Sequence, residues 1–259
     1  MITSSQNAKL KLVRLLNGRA KDRRAENAFV AEGVRLLEDA LAADWPIRFV
    51  LYDETLGKRG HELVERLKAK GHEVEEVVAA LMKSISETET PQGILAILEL
   101  PAQHLPLTNY QFIFIPDQIR DPGNLGTLLR TAAAAGVEAV LVPPETTDPF
   151  APKVVRAGMG AHFRLPVVPM GWEEIRRFNE SAKLMVVLAD MTGVPCWQAD
   201  LTRPLALIVG GEAEGASAPA RELATETVGI PMPGGIESLN AGVAGSVLMF
   251  EVLRQRIKP

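Results

Sequence analysis

The sequence has one cysteine, four histidines and no long apolar run, and each of these scarcities excludes a class of protein. Cys196 is the only cysteine in 259 residues, which rules out an intramolecular disulfide framework and a multi-cysteine zinc site. The histidines are scattered without the paired spacing of metal ligands. No apolar run approaches the ~18 residues that cross a bilayer, and the first residues lack the pattern of a secretory signal. We therefore expect a soluble cytoplasmic protein that holds no metal and contacts no membrane.

Charge is nearly balanced in total but unevenly distributed along the chain. The net charge of −4 gives no global sign of nucleic-acid binding. Residues 1–24, however, contain seven lysines and arginines and a single acidic residue, Asp22, which leaves this end at +6 and the remainder at −10. This basic arm (residues 9–24) indicates local contact with a polyanion, although a solvated helix face would have the same composition. Its candidate polyanion-binding residues are Arg19, Arg23 and Arg24.

The chain divides into two units that differ in pattern. Residues 101–109 contain two prolines and no clear period, so they are predicted to link a unit at 1–100 to a unit at 110–259. In the first unit, helical patterns alternate with short apolar runs, which predicts a small α/β sandwich. Its predicted helices are 6–16, 34–43 and 61–70, and its predicted strands or apolar runs are 28–31, 47–52, 74–78 and 93–98.

The second unit alternates strands and helices more regularly. This alternation predicts an α/β domain with a mostly parallel sheet covered on both faces, and such sheets bind ligands at the carboxyl ends of their strands. The predicted strands are 112–115, 139–142, 184–188, 205–209 and 228–231, and the predicted helices are 125–135, 150–157, 172–179, 219–224 and 239–256.

Three loops that leave these strands carry unusual residues. In residues 116–136, Asn124 is predicted as a helix N-cap, and Arg130 lies among leucines and alanines. In the second loop, a buried strand runs into Gly210 and Gly211, with Gly215 close behind. Glycine lets a backbone approach a ligand closely, although a tight strand-to-helix turn would also use it. Likewise, Asn124 could serve only as a cap and Arg130 could extend along the surface to water.

The third loop, residues 230–251, combines a Pro-Gly-Gly turn with Ser238-Leu239-Asn240 and a helix rich in small residues. A glycine inside a helix costs about 1 kcal/mol relative to alanine, so Gly242 and Gly245 indicate that something packs closely there. A partner helix, a threaded loop or simple crowding of the core would each account for them.

In this order the three loops resemble the three motifs of the SpoU/TrmH family of RNA ribose 2′-O-methyltransferases, within the SPOUT superfamily. The matching segments are 124–132, 210–215 and 230–240, and the resemblance covers residues ~110–256. The first unit resembles the ribosomal-protein-like α/β/α domain that often precedes this catalytic domain and binds RNA. Its landmarks are Phe29-Val-Ala-Glu32-Gly33 and Thr90-Pro91-Gln92-Gly93.

The resemblance implies a catalytic domain with a deep trefoil knot, dimerisation through the knotted region, and S-adenosylmethionine as the cofactor. Gly210, Ile230 and Leu239 match the family residues whose backbone holds the cofactor, and Gly211 and Gly215 are assigned to the same site. The implied catalytic residues are Asn124, Arg130, Glu212, Ser238 and Asn240. A general-base role has been proposed for the family's arginine, but a guanidinium stays protonated in proteins.

We therefore expect Arg130 to bind the substrate phosphate and polarise the ribose 2′-hydroxyl. Asn124 and Ser238 would orient the ribose, and Glu212 would anchor the loop or the arginine. Ribosomal RNA is the favoured substrate and transfer RNA the alternative, and the role of Glu237, an added acid near the expected RNA path, stays open. Rival functions are base methylation and a catalytically idle RNA-binding or ribosome-assembly factor. A Rossmann oxidoreductase is disfavoured because no GxGxxG follows the first strand.

Overall fold

A computed structural model describes residues 1–101, 105–106, 109–211 and 215–257. The described residues group into two compact units. The first contains the residues up to 101 together with Phe150–Phe163, and the second contains the remainder. In the described part of the chain no helix is both long and apolar enough to span a bilayer.

The first unit is a four-stranded sheet covered by helices. Its elements are α1 (Ala8–Asn17), α2 (Ala20–Glu26), β1 (Ala28–Glu32), α3 (Val34–Ala42), β2 (Ile47–Tyr52), α4 (Lys58–Ala69), β3 (Val74–Glu76), α5 (Ala79–Ile85) and β4 (Ile94–Glu99). The strand order is β1-β4-β2-β3, in which only β2 and β3 are parallel. Alternate residues of β1, β2 and β4 pack with α1 and α5 in one core, and α3 contacts β1 and β4. This arrangement is the predicted α/β/α sandwich.

The second unit is built on a six-stranded sheet whose strands are all parallel. Its elements are β5 (Phe112–Pro116), α6 (Pro122–Ala134), β6 (Ala139–Val142), β7 (Val167–Pro169), α8 (Trp172–Ala182), β8 (Met185–Pro195), β9 (Leu205–Val209), α9 (Ala218–Leu223), β10 (Glu226–Gly229) and α10 (Ala241–Arg256). The strand order is β10-β8-β9-β5-β6-β7. Helices α8 and α9 cover one face, while α6 and α10 pack against each other, with α6 on β5 and α10 on β9. The predicted parallel α/β domain is thereby confirmed.

The segment between β6 and β7 leaves the second unit and completes the first. Helix α7 (Pro152–Gly158) packs on β1. Aromatic rings hold both ends of this segment, because Phe150 lies 5.1 Å from Phe29 and Phe163 lies 5.2 Å from Trp45 between ring centroids. The sequence analysis assigned these residues to the unit at 110–259, whereas their contacts group them with the first unit.

Several predicted strands coincide with the observed ones, but the helix ends differ. The strands at 47–52, 139–142 and 205–209 have the predicted bounds. Helices α2 and α5 and strand β7 were not predicted, because each is too short to show a clear period. Strand β10 ends at Gly229 and α10 begins at Ala241, so Ile230 and Leu239 lie in the loop between them and not within a strand or a helix.

Candidate active site

A cavity of about 440 Å³ lies at the carboxyl ends of β9 and β10, beside residues 189–191 of β8 and the first turns of α10. All five residues predicted to bind the cofactor line it, together with one of the predicted catalytic residues. These six are Gly210, Gly211, Gly215, Ile230, Leu239 and Ser238. The second and third loops, separated along the chain, therefore form one site. Its volume falls within the range of pockets that bury small ligands.

Glycines 210 and 211 are required by the packing of the loop against its surroundings. A Cβ atom on Gly210 would lie 2.6 Å from the Ala216 nitrogen, and a Cβ atom on Gly211 would lie 2.5 Å from the Gln118 carbonyl oxygen. Gly215 has φ +68° and donates its N–H to the Gly211 carbonyl at 3.2 Å. These glycines were expected to admit a ligand. The structure shows that Gly210 and Gly211 allow neighbouring backbone to pack closely against them, and this packing shapes the cavity wall.

The cavity wall carries one ion pair and one further acid. Arg221 donates from Nη1 to Asp190 Oδ2 at 3.0 Å, and both residues line the cavity. Hydrogen bonds from the backbone and hydroxyl of Thr192 are the main reason that the pKa of Asp190 lies below its ordinary value, and Arg221 adds to this effect. Glu237 also lines the cavity and is exposed. The acid that the sequence placed near the RNA path thus borders the cavity itself.

The first and third motifs meet through two asparagines. Asn240 donates from Nδ2 to Asn124 Oδ1 at 3.1 Å, and its own Oδ1 accepts from the Val243 N–H at 3.2 Å as the N-cap of α10. The prediction that Asn124 is an N-cap was wrong. Asp121 caps α6 by accepting from the Asn124 N–H at 2.7 Å, because Pro122 occupies the first helical position, where proline is favoured.

Small residues on α10 allow it to approach α6. A Cβ atom on Gly242 would lie 3.2 Å from Asn124 Oδ1, and one on Gly245 would clash with the Leu128 side chain. The Thr131 and Ser246 hydroxyls are 2.9 Å apart across the same contact. Of the explanations that the sequence left open for these glycines, the structure shows close packing of α10 on α6.

Arg130, another predicted catalytic residue, is not brought into the cavity. Arg130 is exposed on α6 and does not line the cavity. Glu212 lies outside the described residues. The structure therefore joins Asn124, Asn240 and Ser238 to the cavity region, while Arg130 extends from the helix that carries Asn124.

A buried carboxylate that the sequence analysis did not identify lies beside this site. Asp117 follows β5 directly, is fully buried, and accepts a hydrogen bond from the Ser217 N–H at 2.6 Å. Burial raises the pKa of Asp117 above its ordinary value, while the Ser217 hydrogen bond acts in the opposite direction. The signal that could have found it was an acidic residue placed directly after a wholly apolar strand, at the carboxyl edge of a parallel sheet.

The basic arm presents only part of its charge to solvent. Arg19 and Arg24 are exposed. Arg23, predicted to bind RNA with them, is instead 3% exposed and donates to the Leu16 and Gly18 carbonyls at 2.6 and 3.0 Å. The RNA-binding assignment of Arg23 was therefore wrong, because its guanidinium ties α2 to the end of α1. Among the described residues no group of three or more potential ligands could hold a metal ion.

Comparison with protein families finds two matches that together cover most of the chain. A family model described as the SpoU rRNA Methylase family matches residues 111–250, and one described as the MRM3-like substrate binding domain matches residues 7–96.

Individual proteins are similar over almost their whole length. The 23S rRNA (guanosine(2553)-2′-O)-methyltransferase RlmP of Bacillus subtilis is 33% identical, over 97% of this chain and 98% of its own. The 23S rRNA (uridine(2479)-2′-O)-methyltransferase of Streptomyces viridochromogenes is 31% identical, over 98% and 92%. The crystal structure of the SpoU methyltransferase AviRb from Streptomyces viridochromogenes, in complex with AdoMet, superposes with a TM-score of 0.89 at 30% identity, over 97% of this chain and 98% of that one.

Proposed function

This chain belongs to the SpoU rRNA methylase family, and we propose that it methylates a ribose 2′-hydroxyl of ribosomal RNA with S-adenosylmethionine as methyl donor. The observation that carries the proposal is the cavity at the carboxyl edge of the sheet, where the predicted cofactor residues meet beside the Asn124–Asn240 pair. Relatives that act on 23S rRNA match the chain across both units, which favours ribosomal over transfer RNA.

The residues present fit the cofactor. The cavity is lined by Gly210, Gly211 and Ile230 and by the apolar residue Leu239. Backbone N–H and C=O groups can pair with the polar edge of adenine and with ribose hydroxyls without bringing charge. When bound, S-adenosylmethionine supplies an electrophilic methyl group. The loop residues bind and orient it.

The polar residues beside the cavity are proposed to prepare the hydroxyl. A ribose 2′-hydroxyl is a poor nucleophile until it is aligned and its proton is accepted. Asn124 and Ser238 orient the ribose, and Asn240 fixes the position of the Asn124 amide through the 3.1 Å hydrogen bond. Arg130 is exposed on the helix that carries Asn124 and binds the adjacent phosphate, which needs the bidentate geometry of a guanidinium. Glu212 is proposed to anchor this arrangement.

The first unit is proposed to bind the RNA. Its match to a substrate-binding domain covers residues 7–96, and residues 1–100 remain our assignment for this role. Exposed Arg19 and Arg24 in the basic arm supply phosphate contacts, which position an RNA without reading its sequence. A protein that modifies ribosomal RNA works where ribosomes are assembled, so we place it in the cytoplasm.

The second unit is proposed to dimerise through α10. Val243, Val247 and Phe250 recur at helical spacing and are 50%, 37% and 49% exposed. An exposed apolar stripe of this kind is typical of a helix that packs on another copy. A trefoil knot is part of the same proposal. Strand β10 lies at one edge of the sheet, while α10 returns to pack on α6 and β9 near its centre, so the chain at 230–240 crosses the carboxyl edge past the glycine loop.

A transfer assay tests the function. The protein is incubated with methyl-labelled S-adenosylmethionine and, separately, with unmodified ribosomal and transfer RNA, and the labelled nucleoside is identified after digestion. A 2′-O-methylnucleoside from ribosomal RNA is the expected result. A labelled base would contradict the roles given to Ser238 and Asn240, and label in transfer RNA alone would change the substrate. Absence of label in both pools, with cofactor binding intact, would favour an RNA-binding factor.

A further inference from the structure

Close after Gly215, which lines the cavity, one peptide group is hydrogen-bonded at both its N–H and its carbonyl. This group, the 216–217 peptide, joins the Ala216 carbonyl to the Ser217 N–H. Ala216 lines the cavity and Ser217 is the N-cap of α9. The 216–217 peptide is therefore the junction between the proposed cofactor loop and the helix that follows it.

Asp117 holds the N–H end of the 216–217 peptide. Its Oδ2 accepts from the Ser217 N–H at 2.6 Å, and the aspartate is fully buried at the end of β5. Its own N–H donates to the Val209 carbonyl at 2.9 Å, so its backbone is tied to the last residue of β9, where the loop begins. A charge-assisted bond made by a side chain on such a rigid strand end fixes its partner closely.

Arg221 holds the carbonyl end of the same peptide. Its Nε donates to the Ala216 carbonyl at 3.2 Å, and its Nη1 donates to Asp190 Oδ2 at 3.0 Å. Asp190 is in turn fixed by Thr192, whose N–H and hydroxyl donate to Oδ1 at 3.0 and 2.8 Å. The 216–217 peptide is thus bound between a carboxylate on the β5 side and a guanidinium that is itself anchored to β8.

We propose that Asp117 and Arg221 are positioning residues for cofactor binding, which act by clamping the 216–217 peptide so that Gly215 and Ala216 keep their positions in the cavity wall. The proposal rests on the cofactor site described above. It adds two residues to the predicted cofactor-binding residues. One of the two, Asp117, does not line the cavity.

Two features separate this role from simple capping of α9. The Ser217 hydroxyl already accepts from the Ala220 N–H at 3.4 Å, which is the usual N-cap bond. Asp117 instead binds the Ser217 N–H, and Arg221 reaches back from the helix to the loop carbonyl. Without the clamp the peptide can turn to water when the cofactor is absent, and binding must then order it again, so the cost appears in affinity.

The test compares S-adenosylmethionine affinity, measured by calorimetry on the full-length protein, with melting temperature. We expect Asp117→Ala to raise Kd about tenfold, the factor that corresponds to losing one buried acceptor. Asp117→Asn keeps an oxygen facing the Ser217 N–H and should bind within about twofold of wild type. Arg221→Ala should also weaken binding, and since its side chain is 51% exposed it is expected to fold even if Asp117→Ala does not.

Glu222→Gln is the matched control, because Glu222 is next to Arg221 on α9 and its carboxylate forms an exposed ion pair with Arg176, at 3.8 Å. It should bind like wild type. In turnover with RNA, Asp117→Ala and Arg221→Ala should raise KM for S-adenosylmethionine and leave kcat within about twofold. A lower melting temperature with unchanged Kd in both variants would overturn the proposal, as would Asp117→Asn binding as weakly as Asp117→Ala. Failure of the wild type to bind S-adenosylmethionine would instead overturn the proposed function.

Discussion

Replacing Gly210 by alanine tests whether the shape of the glycine loop determines cofactor affinity. A Cβ atom at position 210 would lie 2.6 Å from both the Ala216 nitrogen and the Gly215 carbonyl carbon. Ordinary van der Waals contact begins at 3.4 Å, so the 215–216 backbone must retreat from 2.6 to 3.4 Å, about 0.8 Å. The obstructing atoms are backbone, which cannot rotate aside as a flexible side chain can. The loop itself must therefore change shape.

The expected loss follows from this clash. Overpacking of one methyl group costs about 1–3 kcal/mol, and each 1.4 kcal/mol is a factor of ten in an equilibrium constant. If the displaced loop relaxes in the free protein and must return to its original shape to bind, that cost falls on binding. Kd for S-adenosylmethionine should then rise by about 5- to 150-fold. The fold should survive, because Gly210 follows the last residue of β9 and lies outside the sheet.

Calorimetric titration of S-adenosylmethionine measures this effect, and melting curves with and without cofactor show whether the variant is folded. Gly234→Ala is the matched control. It adds the same methyl group in the neighbouring cavity loop, where no atom lies within 4 Å of the new Cβ, and it should bind like wild type. A folded Gly210→Ala variant with wild-type affinity would refute the reasoning that the backbone contact at Gly210 shapes the site.

Three further predictions concern charged residues. Arg130→Lys should lower kcat by about tenfold or more without a change in melting temperature, because a lysine cannot make the bidentate phosphate contact of an exposed arginine; full turnover would exclude that role. Replacing Arg19 and Arg24 with glutamine should weaken RNA binding, and filter binding should show that the slope of log binding constant against log salt concentration falls by about two. Arg23→Gln should mainly lower the free energy of unfolding, by about 2 kcal/mol, which unfolding measurements detect. Burial raises the pKa of Asp117 in the folded state, so the folded state binds that proton more tightly than the unfolded state. Wild type should therefore lose stability relative to Asp117→Asn as pH rises through the raised pKa. A difference in the free energy of urea unfolding that does not change with pH would contradict this.

Much of the site could be predicted because its parts are local in sequence. Apolar strands such as 205–209 are bounded by polar or glycine residues, so their ends, and the loops that follow them, are visible in the pattern. Parallel order then brings those loops to one edge of the sheet. This reasoning brought the second and third loops to one edge. The family resemblance then singled out Gly210, Ile230 and Leu239 within them, and the structure has these three in one cavity.

The errors arose where two residues could serve the same local purpose, or where direction mattered. Asp121 and Asn124 are both good N-caps, and only the proline between them decides in favour of Asp121. Arg23 and Arg24 are adjacent and have the same charge, so composition gives them the same role. On helix α2 they point in different directions, and one guanidinium is buried against carbonyls while the other is in water.

Contacts made to backbone groups far away in the sequence could not be predicted at all. Asp117 and Ser217 lie 100 positions apart, and the acceptor meets a main-chain N–H that every residue except proline would offer. The residue type at position 217 therefore gives no indication of this hydrogen bond. The same holds for the closeness of Gly211 to the Gln118 carbonyl. Glycine reveals that space is short at a position, but the atom that takes the space is known only from the fold.

The linker predicted at 101–109 does not separate the two units completely, because a later part of the chain belongs to the first unit. Strand β1 of the first unit is covered by α7, which enters from the catalytic part of the chain. The ring of Phe29 contacts that of Phe150, and the ring of Trp45 contacts that of Phe163. Phe29 is fully buried. A separate fragment that ends in the linker would lack this cover, at a cost of about 1.5–3 kcal/mol for each large side chain exposed. The first unit is therefore joined to the second by three passages of the backbone, and the segment 150–163 belongs to the first unit together with the strands that precede the linker.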